Sequence, residues 1–438
     1  MIRFKNIVKN LYLLLKIAWE EDKILLIGYF LTSIVSVTLL FLVYFFYKLM
    51  IDQVFRDLAA NPSSILFLII IGYLLAEYLS RFVTNTLNAF YFKFLLRAKF
   101  QNALTRRFME KLAALDFAIL EDGAVRNLIA KVADTFTWRI HANLQMINYI
   151  VYNFAAIIVS FVVAARFGYG YFILLFLFAT PLYFIRAKYG NIQWSIYSSQ
   201  SDKINYLWYL RYLFTEFPTL SEIKIYGLKD YFLKKVKTIQ NEIVDKYKKP
   251  IIKQTLISSL VSLVLPVVIF FALKDFTAGI FTKKHSLGDF TFFLNALYTF
   301  IGQISSLLVN FGVIYENNLY VEDFFHLQYL KNKVKEKKRA LKLQKSPKEI
   351  RFINVSFKYP GGEDFALKDI NLTIKKGEDI AIVGHNGAGK TTLIKLLFRF
   401  YDPTRGKILI DGKDLKNFNI NDWYGHLSVL FRTLPNII

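Results

Sequence analysis

Long apolar runs alternate with long basic stretches until about residue 330, and a shorter-period pattern takes over from residue 349. Between Lys23 and Lys48, the run from Ile24 to Tyr47 contains no charged residue. As a helix rising 1.5 Å per residue it reaches roughly 36 Å, enough to cross a bilayer with some tilt. The pattern predicts six such spans, at about 24–47, 65–82, 142–165, 167–185, 254–273 and 290–315. Pro266 predicts a kink in the fifth. Residues 1–23 place five basic residues around short apolar clusters, the pattern of an amphipathic segment lying at the interface. Glu77 lies four residues before Arg81 near the end of the second span and reads as half of an interfacial ion pair.

Composition supports this reading. Hydrophobic residues make up 55% of the 438, with 43 Phe and 27 Tyr, and no soluble protein of ordinary composition looks like this. The net charge of +23 has two possible origins, a nucleic-acid partner or loops held on the positive side of a membrane. Its distribution favours the second. The two long basic connections, near 81–145 and 186–253, fall on the same side as the N-terminus, so no nucleic acid is expected. There are no cysteines, which excludes disulfides, thiolate metal sites and Cys nucleophiles.

The densest chemistry is Gly384-His385-Asn386-Gly387-Ala388-Gly389-Lys390-Thr391-Thr392, which satisfies G-x-x-x-x-G-K-[ST]. Asp379 to Val383 reads as a buried strand leading in, and Thr392 to Phe398 as a helix leading out. Such a loop turns backbone N–H groups toward a phosphate, and the helix N-terminus adds partial positive charge. Phosphate-binding residues are then Gly384, Asn386, Gly387, Ala388, Gly389, Lys390, Thr391 and Thr392, with Thr391 as the Mg²⁺ ligand.

Six spans, two long helical cytoplasmic extensions and a P-loop segment together resemble an ABC exporter half-transporter, permease and nucleotide-binding domain fused. The resemblance implies a six-helix transmembrane domain over residues 1–330, a linker at 331–348, and an incomplete α/β P-loop NTPase domain at 349–438. Phe357-Lys358-Tyr359-Pro360 is similar to the family's A-loop, which implies that Tyr359 stacks on adenine. Asp402 to Gly412 resembles a scaffold hairpin of the family. By analogy, two short coupling helices dock on nucleotide-binding domains, with candidate positions at Leu115–Val125 and Phe214–Gly227, although each could equally be a solvated turn. Asn295, Gln303, Ser305, Ser306 and Asn310 in the sixth span either line a pathway or bond between helices. Phe292, Phe293, Tyr298 and Phe300 either give a cavity aromatic character or face lipid.

The pattern is incomplete where the family needs more chain. No Q-loop glutamine, LSGGQ-type motif, Walker B strand or switch histidine is found after the P-loop. His426 to Phe431 resembles the strand before the Q-loop, but Arg432 stands where Gln is expected and the tail 433–438 matches nothing in the family. A frameshift or premature stop is the expected cause, and hydrolysis by this chain alone is not expected. The resemblance implies ATP and Mg²⁺ as cofactors, a second half-transporter in a homo- or heterodimer, and export of a lipidic or amphipathic substrate. It also implies a multi-pass protein of the cell membrane with both termini cytoplasmic, and the Lys-, Ile-, Phe- and Asn-heavy usage suggests an AT-rich bacterial genome. A non-hydrolysing regulator or degenerate partner subunit is the alternative.

Overall fold

The computed structural model describes residues 2–57, 64–135, 139–167, 169–334 and 340–430. These divide into two units: residues 1–105 with 135–322, and residues 106–134 with 323–438.

The first unit is helical. Helix α1 (Ile2–Asp57) is two helices joined at Asp22, whose backbone is non-helical (φ −161°, ψ 97°). Asp22 Oδ1 accepts from the N–H groups of Ile24 and Leu25 at 3.0 and 2.9 Å, as an N-cap does. The amphipathic segment therefore ends where the first apolar run begins. Helix α2 (Ser64–Arg81) continues through a π-helical stretch at Phe82–Phe92 into α3 (Lys93–Ala114). Short α4 (Phe117–Leu120) and α5 (Gly123–Thr135) follow in the chain and belong to the second unit. Next come α6 (His141–Phe167), α7 (Gly170–Ser199), α8 (Ser201–Thr215) and α9 (Phe217–Ile225). Helix α10 (Lys229–Ser262) stops at Leu263 before α11 (Val264–Phe281), three residues ahead of Pro266. Proline has no N–H for the carbonyl four residues back and its ring crowds that carbonyl, which accounts for the break. Helix α12 (Leu287–Tyr329) completes the set.

Five of these helical stretches are long and apolar enough to cross a membrane, and Gly170–Leu182 is a shorter apolar one. Six spans are expected, and the fourth, at about 167–185, falls on this shorter apolar stretch.

Several polar side chains inside this unit are paired across helices. Asn88 Nδ2 in the π-helical stretch donates to Tyr29 O, Thr32 Oγ1 and Ser33 Oγ of α1 at 2.8–2.9 Å. Ser33 in turn donates to Asn148 Oδ1 of α6 at 2.9 Å. On α12, Ser306 accepts from Asn153 of α6, and Thr299 shares a hydrogen bond with Tyr44 of α1. Of the two functions left open for the sixth span's polar residues, Ser306 therefore serves interhelical bonding. Phe293 and Phe300, the two aromatics of that span with the least exposed surface among those singled out, pack inside the unit. Both are buried against Phe172 of α7 at 6.0 and 5.0 Å, because T-shaped packing of these rings fills the space between α7, α11 and α12. Glu77 and Arg81 pair at 2.7 Å.

The second unit holds an antiparallel sheet of β1 (Glu349–Phe357), β2 (Leu367–Lys375), β3 (Arg405–Ile410) and β4 (Lys413–Asp414), in the order β2-β1-β3-β4. Asp411 (φ 47°) and Gly412 (φ 79°) turn β3 into β4, the two left-handed positions of a type I′ hairpin. Asp411 also accepts from the backbone N–H of Lys348 and Glu349. The Asp402–Gly412 hairpin is thus scaffold. Gly406 (φ 77°) approaches the backbone of Ile353 and Asn354 so closely that a Cβ would lie 2.2 Å from Asn354 O. Helix α13 (Lys390–Leu397) packs on this sheet, and α14 (Ile420–Tyr424) brings in Trp423, which is buried in the same core.

Candidate nucleotide site

Tyr359-Pro360-Gly361-Gly362 forms a turn after β1. Gly362 N donates to Tyr359 O at 3.0 Å, and Gly361 has φ 78°, as position i+2 of a type II turn requires. This holds the half-buried Tyr359 ring against Phe357 and Tyr401, at 4.9 and 5.4 Å and nearly perpendicular to both. The Tyr359 hydroxyl shares a 3.1 Å hydrogen bond with Thr392 Oγ1 on α13.

Two of the loop glycines earn their places by conformation. Gly387 (φ 84°) and Gly389 (φ 85°) are left-handed, and a Cβ on Gly389 would sit 2.8 Å from Ala366 O. Helix α13 starts at Lys390, so its first-turn N–H groups have no partner within the helix. Lys390 Nζ reaches back over the loop and donates to Gly384 O and His385 O, both at 2.7 Å. Gly384 to Ala388 are exposed, as is Thr391 at the helix start. A bare glycine backbone, a helix N-terminus and an ammonium group thus lie together at one exposed loop, the combination that phosphate-binding loops use.

Two expected residues differ in detail. Thr392 is buried and its hydroxyl is held by Tyr359, so what it offers a phosphate is its backbone N–H. Ala388 N donates within the loop to His385 O at 3.2 Å. The lead-in also differs. Asp379 to Val383 is neither a strand nor buried, and Val383 is 88% exposed. A buried parallel strand needs neighbours on both edges, and no strand among the described residues pairs with this run. Leu427 to Leu430, in the second expected strand, is likewise irregular, and Phe431 onward lies outside the described residues.

The second unit also brings the 115–125 segment onto the site. Asp116 caps α4 by accepting from Ile119 N at 3.0 Å. Ala118 enters the sheet's core, and Phe117 stacks on Phe400 at 4.1 Å with planes 7° apart. Glu121 Oε1 accepts from Lys395 Nζ on α13 at 2.5 Å, and Oε2 accepts from Tyr401 Oη at 2.6 Å. Burial pushes the Glu121 carboxyl up, but the hydrogen bonds from Lys395 and Tyr401 and the Lys395 charge outweigh it and hold the group below its ordinary value. Burial and the Glu121 carboxylate both raise the Tyr401 phenol. Lys395 and Tyr401 escape notice in the sequence. Lys395 could have been found by its spacing, one helical turn after Thr391, whereas nothing local marks Tyr401.

A protein-family model described as ABC transporter matches residues 367–437. A bacterial Atm1-family ABC exporter with ATP bound has a similar fold, with a TM-score of 0.68 over 92% of this chain and 70% of that one, at 19% identity. The chain carries an ABC transporter domain on an exporter-type fold. The family match passes through Arg432 and the tail to residue 437, so the tail is not outside the family pattern as the sequence analysis has it. The subtilin transport ATP-binding protein SpaT of Bacillus subtilis is 27% identical over 84% of this chain and 60% of its own length. The nisin transport ATP-binding protein NisT of Lactococcus lactis is 24% identical over 75% of this chain and 55% of its own length. An ATP-dependent lipid A-core flippase of Methylobacillus flagellatus is 33% identical over 39% of this chain and 27% of its own length. The chain thus spans just over half the length of SpaT and NisT. The ABC domain implies nucleotide binding, and the apolar helices make this a membrane protein.

Proposed function

We propose that this chain works as an exporter half-transporter that binds MgATP at Gly384–Thr392 and pairs with a second half-transporter in a cell membrane, with both termini cytoplasmic. The observation that carries the reading is Lys390, whose ammonium lies 2.7 Å from two carbonyls of an exposed glycine loop at a helix start. In the ABC family ATP supplies the free energy for substrate movement. Here Lys390 would neutralise the outer phosphates, the N–H groups of Gly389, Lys390, Thr391 and Thr392 would hold them, and the Thr391 hydroxyl would hold Mg²⁺. Tyr359 would take the adenine.

Exposed apolar residues of the second coupling-helix candidate support docking against a second half-transporter. Phe217 and Ile225 at the ends of α9 and Tyr226 just after it are 71–81% exposed. The relatives named for subtilin, nisin and lipid A-core transport support an export role, and we assign a lipidic or amphipathic substrate. The test is ATP hydrolysis by a full-length version of the protein in lipid vesicles, with and without amphipathic candidates. Stimulation that Lys390→Ala abolishes supports the exporter. Saturable ATP binding without any hydrolysis would favour a non-hydrolysing partner subunit instead.

A further inference from the structure

Glu121 lies 269 residues before Lys390 in sequence yet sits beside the nucleotide loop's helix, and the proposed binding chemistry makes no use of it. Its two carboxylate oxygens are both committed, one to Lys395 Nζ and the other to Tyr401 Oη. Both of these groups also touch Tyr359. Lys395 Nζ is 5.5 Å from the centre of the Tyr359 ring, and the Tyr401 ring is 5.4 Å from it at 83°. Lys395 and Thr392, the hydroxyl partner of Tyr359, lie on the same helix. The four side chains form a closed ring of contacts: Glu121 to Lys395, Lys395 to Tyr359, Tyr359 to Tyr401, and Tyr401 back to Glu121.

We propose that Glu121 is a positioning residue for nucleotide binding, restraining the two groups that flank the adenine-receiving ring of Tyr359. The physical reason is competition for a π-face. A lysine ammonium on its flexible four-carbon stem is attracted to an aromatic ring within about 6 Å. Glu121 holds the Lys395 ammonium near the outer limit of that range. Freed from the carboxylate, Lys395 can settle on the ring and exclude a base from it, while Tyr401 loses the acceptor that fixes its hydroxyl. The phosphate-binding backbone and Lys390 are not part of this ring of contacts, so the effect should fall on the adenine end alone.

This inference rests on the reading of Tyr359 as the adenine partner, and the experiment separates the two. Dissociation constants for MgATP and for inorganic Mg-tripolyphosphate, which has phosphates and no base, are measured on the full chain in detergent or nanodiscs. Glu121→Gln keeps an acceptor for Tyr401 but loses the charge that holds Lys395. It should weaken MgATP about three- to tenfold and leave tripolyphosphate unchanged. Adding Lys395→Met to that variant should restore much of the ATP affinity, because no loose cation remains. Equal weakening of both ligands would mean that Glu121 merely supports the fold, and unchanged ATP affinity would mean that it does nothing for the ring; either result overturns the inference. Tyr359→Ala is the control. If it weakens ATP selectively while Glu121→Gln does not, only the present inference fails. If it leaves ATP and tripolyphosphate both unchanged, the adenine assignment itself fails.

Discussion

Arg399 is a cation with 2% of its surface exposed at the end of α13, and its surroundings explain why it can be there. Its backbone is left-handed (φ 55°), Arg399 N donates to Leu396 O, and Phe400 N donates to Lys395 O, the paired bonds of a Schellman cap. The guanidinium donates to Phe418 O at 3.0 Å and Lys416 O at 3.2 Å and sits 3.5 Å from Asp402. Trp423 Nε1 donates to Leu397 O at 2.9 Å, so one more terminal carbonyl of the helix is satisfied. Arg399→Ala would strand two buried carbonyls and is expected to cost about 2–4 kcal/mol of stability, read as a fall in the denaturation midpoint. Glycine would be the ordinary residue at such a cap, and the sequence offered no reason to single out this arginine. The P-loop glycines are different. Each was legible because its conformation is demanded by a local motif, whereas the roles of Arg399, Lys395 and Tyr401 depend on partners far away in the chain.

Among the elements, the break at Asp22 and the break before Pro266 were both legible, the first as a charge at the edge of an apolar run and the second as a missing donor. Asp22→Ala removes the cap on Ile24 and Leu25 and should cost about 1 kcal/mol, with faster hydrogen exchange at those two amides. The docked turn at α4 carries a pH dependence. Glu121 titrates below its ordinary value of 4.5, so its contribution is complete above that value and is lost as pH falls through the depressed one. Hydrogen exchange across residues 116–122 should therefore stay slow at neutral pH and rise only below about pH 4.5, and Glu121→Gln should remove that acid step. The strand predicted at Asp379–Val383 was the main failure. Its apolar run was read correctly, but a strand is made by its neighbours, and periodicity within one segment cannot supply them.

For the molecule as a whole, the change of pattern near residue 349 separates a region of apolar helices from a sheet-bearing one. What it could not show is that residues 106–134 belong with the sheet-bearing unit rather than with the helices on either side of them. That grouping is decided by Ala118 in the sheet's core and by the stacked pair Phe117–Phe400, contacts between positions nearly 300 residues apart. The central claim is that this loop binds a nucleotide through Lys390. Titration of the full chain in detergent with a fluorescent ATP analogue and Mg²⁺ tests it directly, with Lys390→Ala alongside. Saturable binding that ATP displaces and that falls at least tenfold in Lys390→Ala is the predicted result. Absence of saturable binding, or binding that survives Lys390→Ala unchanged, would contradict the account.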